Sequence, residues 1–314
     1  MRQGGNGVKQ PVRIALLCAM IVLLAFLVPA PGLAEEAVYS IAIDADTAPV
    51  PPEEGYLSAM EYQDPTLQVT IETDRYLETD IWIARVKIAD ASQLRTAMAG
   101  RYGTQKVAFV STMAKRVNAV LAINGDYFGY HNSGVVIRQG HAYRRRIDEE
   151  DRADVLVIDA QGDFHVLLDT TEEAFAVLYD QLGGAWDEGG EIINAFTFGP
   201  AFIENGELTR EAFVRADDKK GESVAQRMIL AQDGPLSYVC ICSEGPESDN
   251  STGLTLDQIA QYISTMGLQT AYNLDGGGSA SVVFNKEKIN SLSTHKTRSV
   301  SDCIYFASAL TQDE

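Results

Sequence analysis

No cysteine–histidine spacing in this 314-residue sequence resembles a zinc site, and four residues of each type leave little to build one from. Cys240 and Cys242 lie two apart in a strand-like run, so they share one face and cannot readily bond to each other. Either could bridge to Cys303 in an oxidising compartment, but three small buried thiols is the preferred reading. Positive charge is also scarce. Lys and Arg number 25 against 44 Asp and Glu, a formal net charge of −19. Such a field repels the phosphates of nucleic acids and anionic membrane surfaces and argues against both as partners. A small phosphorylated substrate stays open, provided that individual Arg or Lys side chains meet its charge. No glycine-rich run ends in Gly-Lys-Ser/Thr, so there is no P-loop. There is no internal repeat, and no Pro/Gly linker follows residue 60.

What is present begins with an export-like leader. Arg2, Lys9 and Arg13 precede an uninterrupted apolar run over 14–28, and Pro29-Ala30-Pro31 leads into Gly32-Leu33-Ala34. The run is shorter than the roughly 20 apolar residues of a comfortable bilayer span. The expectation is a signal peptide over 1–34, with a retained N-terminal anchor as the alternative, and an extracellular or cell-surface protein. Membrane contact is then confined to that segment if it stays uncut. Losing three basic and no acidic residues takes the formal charge from −19 to −22. Residues 35–60 are acidic, carry Pro49, Pro51 and Pro52, and read as an extended spacer. With 46% apolar residues in the chain, 61–314 can bury a sizeable core, and one domain is the economical reading.

Within 61–314, Trp82, Ala84, Val86 and Ile88 alternate as a half-buried strand. Ser92 is expected to open a short helix ending at Gly100, and a second helix over 105–116 to feed a strand at 119–123. Strands at 155–158 and 164–168 flank Gln161-Gly162-Asp163 as a hairpin, and 171–182 reads as a helix closed by Gly183. Thr255-x-x-Gln258 is a capping-box pattern opening a helix with Leu256, Ile259, Ala260 and Ile263 on one face. A strand at 270–274 then runs into three glycines. The fold class is α+β, with mixed or antiparallel sheets and packed helices.

Two strand-to-turn junctions carry the chemistry. In Asn273-Leu274-Asp275-Gly276-Gly277-Gly278-Ser279, consecutive glycines can point several N–H groups into one concavity, an anion site, with Asp275 at its edge. The bland alternative is a tight turn whose Asp caps backbone N–H groups. In Asn124-Gly125-Asp126-Tyr127-Phe128, turn chemistry is followed by two aromatics of the kind that pack against a sugar face. Asp126 and Asp275 together supply the two carboxylates that glycosidic hydrolysis usually uses. Arg227 lies in an apolar strand pattern and Arg298 precedes the last strand; each needs a carboxylate or a substrate anion. Arg144-Arg145-Arg146 beside Asp148, Glu149 and Glu150 reads as a solvated, self-compensating loop, and His131 and His295 as surface residues.

In order along the chain, Ala122-Ile123-Asn124-Gly125-Asp126-Tyr127-Phe128, Phe198-Gly199-Pro200 with Asn205-Gly206, Gln226-Arg227, Gly253-Leu254-Thr255-Leu256, Asn273 to Ser279, and Arg298-Ser299-Val300 resemble the phosphodiester glycosidase family. The resemblance implies a hydrolase of α-linked sugar–phosphodiesters. It also implies that Asn124, Asp126, Arg227, Asp275, Gly276, Gly277, Gly278, Ser279 and Arg298 line the site. On that basis Asp275 and Asp126, with Glu244 third, are the catalytic candidates. Asn124, Gly125, Arg227, the three glycines, Ser279 and Arg298 are assigned to substrate and phosphate. No cofactor is required, although clustered aspartates could hold a divalent cation. The expected partner is a sugar-phosphodiester or glycan of a cell envelope or the extracellular space. The rival readings are a metal-dependent phosphodiesterase cutting P–O and a non-catalytic glycan-binding module.

Overall fold

The computed structural model describes residues 39–150, 152–183, 191–213, 223–246, 248, 250–290 and 297–311. The expected leader, the start of the spacer and His295 lie outside these residues.

Alternating apolar residues produce three sheets, antiparallel at every described pairing. Nine strands form the largest, in the spatial order Tyr56–Ser58, Glu61–Gln63, Leu67–Tyr76, Thr79–Ile88, Ser237–Ser243, Arg227–Gly234, Thr270–Leu274, Ala201–Glu204 and Glu207–Leu208. A second sheet runs Phe164–Leu167, Val155–Asp159, Ile192–Thr197, Gly134–Arg138 and His141–Arg146. The third runs Glu287–Lys288, Val282–Phe284, Leu121–Asn124, Asp302–Phe306 and Leu94–Met98.

Successive strand residues point to opposite faces, and here both faces are buried. Met228 and Leu230 enter one cluster with Leu121, Ile304, Leu156 and Phe196, which joins all three sheets. Their neighbours Ile229 and Ala231 point the other way, onto Ile259, Ala260 and Ile263 of helix Leu256–Ile263. The same division recurs twice. Helix Val110–Arg116 packs with Ala122, Cys303 and Tyr305 of the third sheet, and helix Glu172–Gln181 with Val135, Val155 and Val157 of the second. Three sheets thus surround a shared core, each backed by one helix. The capping box at Thr255 and Gln258 forms as expected, and so does the hairpin around Gly162. Cys240, Cys242 and Cys303 are buried free thiols.

Four local expectations change. Residues 94–98 form a strand, because Leu94–Met98 pairs in register with Asp302–Phe306 and Asp90 caps only one tight turn before it. The second helix starts at Val110, since Ala108 is held in a bridge to Val300. Residues 39–60 are no free spacer. Ile41 and Ala48 are buried beside Val110 and Met113, and the Arg95 guanidinium donates to the carbonyls of Ile43 and Ala45. Arg144, Arg145 and Arg146 belong to a strand, not a loop, and Arg144 donates to the carbonyls of Phe128, His131 and Gly134.

Candidate active site

The ends of Leu121–Asn124 and Thr270–Leu274, from different sheets, converge. The Asp275 N–H reaches the Gly125 carbonyl at 3.4 Å, and Asn124 Nδ2 donates to the Asp275 carbonyl at 2.7 Å. Asn124 Oδ1 accepts from the Ser281 N–H at 3.1 Å. The amide therefore staples the glycine turn at both of its ends, and Asn124, expected to bind substrate, instead fixes the backbone that carries Asp275.

The turn is tightly drawn onto a neighbouring strand. Gly277 N–H donates to the Gln226 carbonyl at 2.9 Å, and the N–H groups of Ser279 and Ala280 close back on Gly276 and Gly277. The Gly276 N–H supports the Asp275 carboxylate. The expected cradle of three outward-pointing N–H groups is thus largely consumed internally. A Cβ at Gly276 would lie 2.5 Å from the Gln226 carbonyl oxygen. Gly276→Ala should therefore push the turn off that strand, costing about 1–3 kcal/mol in denaturant unfolding and most of any activity.

Asp275 is only 7% exposed. Burial pushes its carboxyl pKa up, while the Ser279 hydroxyl and the Arg298 charge pull the other way. Its Oδ2 has no hydrogen-bond partner among the described residues. Arg298 is exposed, with its N–H on the Gly278 carbonyl at 2.7 Å and Nη2 on the Gly276 carbonyl at 3.0 Å. The turn therefore holds a buried carboxylate oxygen near an accessible guanidinium.

Asp126 is different. It is fully buried, with Oδ1 accepting from Arg138 Nη2 at 2.7 Å and from the Phe128 N–H at 3.2 Å, and Oδ2 accepting from the Thr197 N–H at 2.9 Å. Arg138 Nε also meets Asp302 Oδ2 at 2.7 Å. Asp126, expected as the second catalytic carboxylate beside Asp275, is an internal counter-ion. Sequence reasoning missed Arg138 and Asp302, although each is a charge at the end of an apolar strand, the signal that singled out Arg227. Gly125 fits between these groups because it has no side chain; a Cβ there would lie 2.1 Å from Asp302 Oδ1.

Burial, opposed by Arg138 and reinforced by Asp126, pushes Asp302 up to about 6. A carboxyl whose pKa is higher folded than unfolded stabilises fully below the unfolded value and loses that contribution as pH rises through the folded one. Wild-type stability should therefore decline between about pH 4 and pH 7, and Asp302→Asn should flatten that slope in unfolding titrations.

The remaining candidates are structural neighbours of the turn. Glu244 accepts from Trp82 Nε1 at 2.9 Å and Gln226 Nε2 at 3.2 Å. Arg227 donates to the carbonyls of Leu254 and Ser223 at 3.0 and 2.7 Å. Among the described residues no three His, Cys, Asp or Glu side chains stand together as a metal site. A cavity of about 610 Å³ borders Arg138, Arg116 and Tyr143 but includes none of Asp126, Asp275 or Arg298, so the chemistry is assigned from the carboxylate and not from that hollow.

The profile of the phosphodiester glycosidase family matches residues 117–307, a span that contains both converging strand ends and Arg298. No curated protein matches the chain by sequence. Among solved structures, the chain is similar to the catalytic domain of zebrafish N-acetylglucosamine-1-phosphodiester alpha-N-acetylglucosaminidase, described as auto-inhibited by its pro-peptide. That likeness has a TM-score of 0.60 at 17% identity and covers 78% of this chain and 84% of that one. A hypothetical protein from Synechocystis is similar with a TM-score of 0.50 at 17% identity, over 76% of this chain and 62% of the other. At these identities the structural likeness speaks for the α+β fold, while the profile match spans more than half of the sequence: the chain belongs to the phosphodiester glycosidase family.

Proposed function

We propose that this protein hydrolyses the bond between an α-linked sugar and a phosphodiester, with Asp275 as the reacting carboxylate and Arg298 facing the phosphate. The observation that carries this reading is Asp275 itself: a buried carboxylate with one oxygen unpartnered, beside an exposed guanidinium. Water adds its oxygen to the anomeric carbon as the C–O bond to phosphate breaks, and its proton leaves through Asp275. Alternatively, Asp275 attacks first and water releases the sugar. With Asp126 held by Arg138, only one carboxylate of the expected pair is available. One suffices, because a phosphate leaves without needing an acid to protonate it, and Arg298 offsets its charge. Arg227 and Glu244 hold the neighbouring strand and loop and do not enter the bond-breaking step. No cation is required.

Export of the protein and an extracellular or cell-envelope glycan as substrate belong to the same proposal, supported by the leader-like residues 1–34. The test is hydrolysis of an α-linked sugar-phosphodiester panel in oxygen-labelled water, with and without chelator. Label in the free sugar supports the reading. Label in the phosphate, lost with chelator, would replace it with a metal-dependent phosphodiesterase. Saturable binding without product would leave a glycan-binding module.

A further inference from the structure

Immediately after Asp126 the backbone adopts a conformation that a bulky residue rarely takes. Tyr127 has φ 70° and ψ 18°, in the left-handed region. For an aromatic side chain this is strain that surrounding contacts must maintain. Those contacts are present. The Phe128 N–H is tied to Asp126 Oδ1, and the carbonyls of Phe128 and His131 both receive the Arg144 guanidinium. Phe128 is buried, with Arg138 5.4 Å from its ring centroid and Tyr102 stacked at 5.7 Å.

The strained turn contributes little to the interior. Neither Tyr127 nor Tyr130 belongs to a core cluster. Instead the two rings lie nearly parallel, 4.6 Å apart and inclined by 15°, with the His131 ring edge-on to Tyr127 at 5.1 Å. Tyr130 is 58% exposed although Tyr127 covers one of its faces, so the opposite face lies open to solvent. Two residues before Tyr127, the Gly125 carbonyl receives the Asp275 N–H, so the turn that carries the rings is tied to the turn that carries the reacting carboxylate.

We propose that Tyr127 and Tyr130 form a stacking platform for a pyranose ring of the substrate. Tyr130 offers the open face, and Tyr127, held in its strained conformation, sets the angle of that face. The C–H bonds on one side of a pyranose are apolar and match an aromatic face, whereas its hydroxyls stay in water. The platform carries no charge, so it selects for sugar and leaves the phosphate to Arg298. This proposal rests on the sugar-phosphodiester reading of the same site.

The test uses Tyr130→Ala, Tyr130→Phe and Tyr127→Gly in the full chain. Steady-state turnover of the best substrate in the panel is measured with saturation-transfer NMR binding of methyl α-pyranosides. Tyr130→Ala should raise KM about tenfold, with kcat within about twofold of wild type. Tyr130→Phe should keep wild-type values, because the face and not the hydroxyl makes the contact. Tyr127→Gly should raise KM similarly while melting no lower than wild type, since glycine accepts the left-handed conformation. Inhibition by inorganic phosphate should be the same in all three. Active wild type with an unchanged KM in Tyr130→Ala would overturn the platform and leave the hydrolase reading intact. A wild-type chain that neither binds a pyranoside nor cleaves any panel member would overturn both.

Discussion

Asp275→Asn is expected to abolish turnover, lowering kcat at least about a thousandfold, in a protein that folds as well as the wild type or better. The activity loss follows from replacing the buried carboxylate whose unpartnered oxygen lies near an exposed guanidinium; Asp302 also keeps an unpartnered oxygen, but its cation, Arg138, is buried with it. The gain in stability follows from the direction of its pKa. Burial holds the Asp275 pKa above its ordinary value, so the ionised form is tolerated less well folded than unfolded. Its stabilising contribution is complete below the unfolded pKa and disappears as pH rises through the folded one. The amide has no such titration, so the variant should melt at or above the wild-type temperature near pH 8, with a smaller difference near about pH 4. Asn also preserves the size and hydrogen-bonding capacity needed beside Ser279. Normal turnover in a normally melting variant would remove Asp275 from the mechanism. A large fall in melting temperature would make its role structural.

The largest stability effect should come from Arg138→Met. Among the described residues Arg138 is the one cation paired with both fully buried carboxylates, and its Nη1 also donates to the carbonyls of Ile137 and Ala195. Burial by itself would lower the guanidinium pKa; the two carboxylates outweigh that and hold it above its ordinary value. Phe196, 4.1 Å from the guanidinium carbon to its ring centroid, adds a favourable face. Removing the cation strands two buried carboxylates, a change that costs about 3–5 kcal/mol. Guanidinium chloride unfolding should show the loss as a lower midpoint. Adding Asp126→Asn and Asp302→Asn should recover much of it, because the stranded charges then go. A single variant as stable as wild type would mean that water or another cation reaches the carboxylates.

How much of this was legible beforehand depended on whether the deciding contacts were local. The capping box at Thr255 and Gln258 and the hairpin turn at Gly162 are decided within a few residues, and both are present. Strand Thr270–Leu274 with its glycine turn was equally plain. Leu94–Met98 was not, because a short mixed run fits either period and its strand partner lies near residue 304. In the site, ordered motifs picked out the junctions around Asn124 and Asp275. They could not separate Asp126 from Asp275, which differ only in what surrounds them: one is ion-paired with a buried guanidinium from strand Gly134–Arg138, the other is buried beside Ser279 and the exposed Arg298. The exposed Tyr130 was likewise invisible, since the sequence marked Tyr127 and Phe128 as the aromatic pair and only the fold buries Phe128.

The third sheet has a consequence for the order in which the molecule can be made. Strand Asp302–Phe306 lies between Leu121–Asn124 and Leu94–Met98, so the latest strand in sequence sits inside the sheet instead of at its edge. Before it leaves the ribosome, its two neighbours have no partner between them, and Arg138 lacks Asp302. Closing such long loops also costs chain entropy before any contact repays it, which slows folding further. Until residues 302–306 have emerged, the Arg138–Asp302 pair that packs against Gly125 cannot form. In that interval the unpaired strand edges and uncovered apolar faces are open to proteases and chaperones.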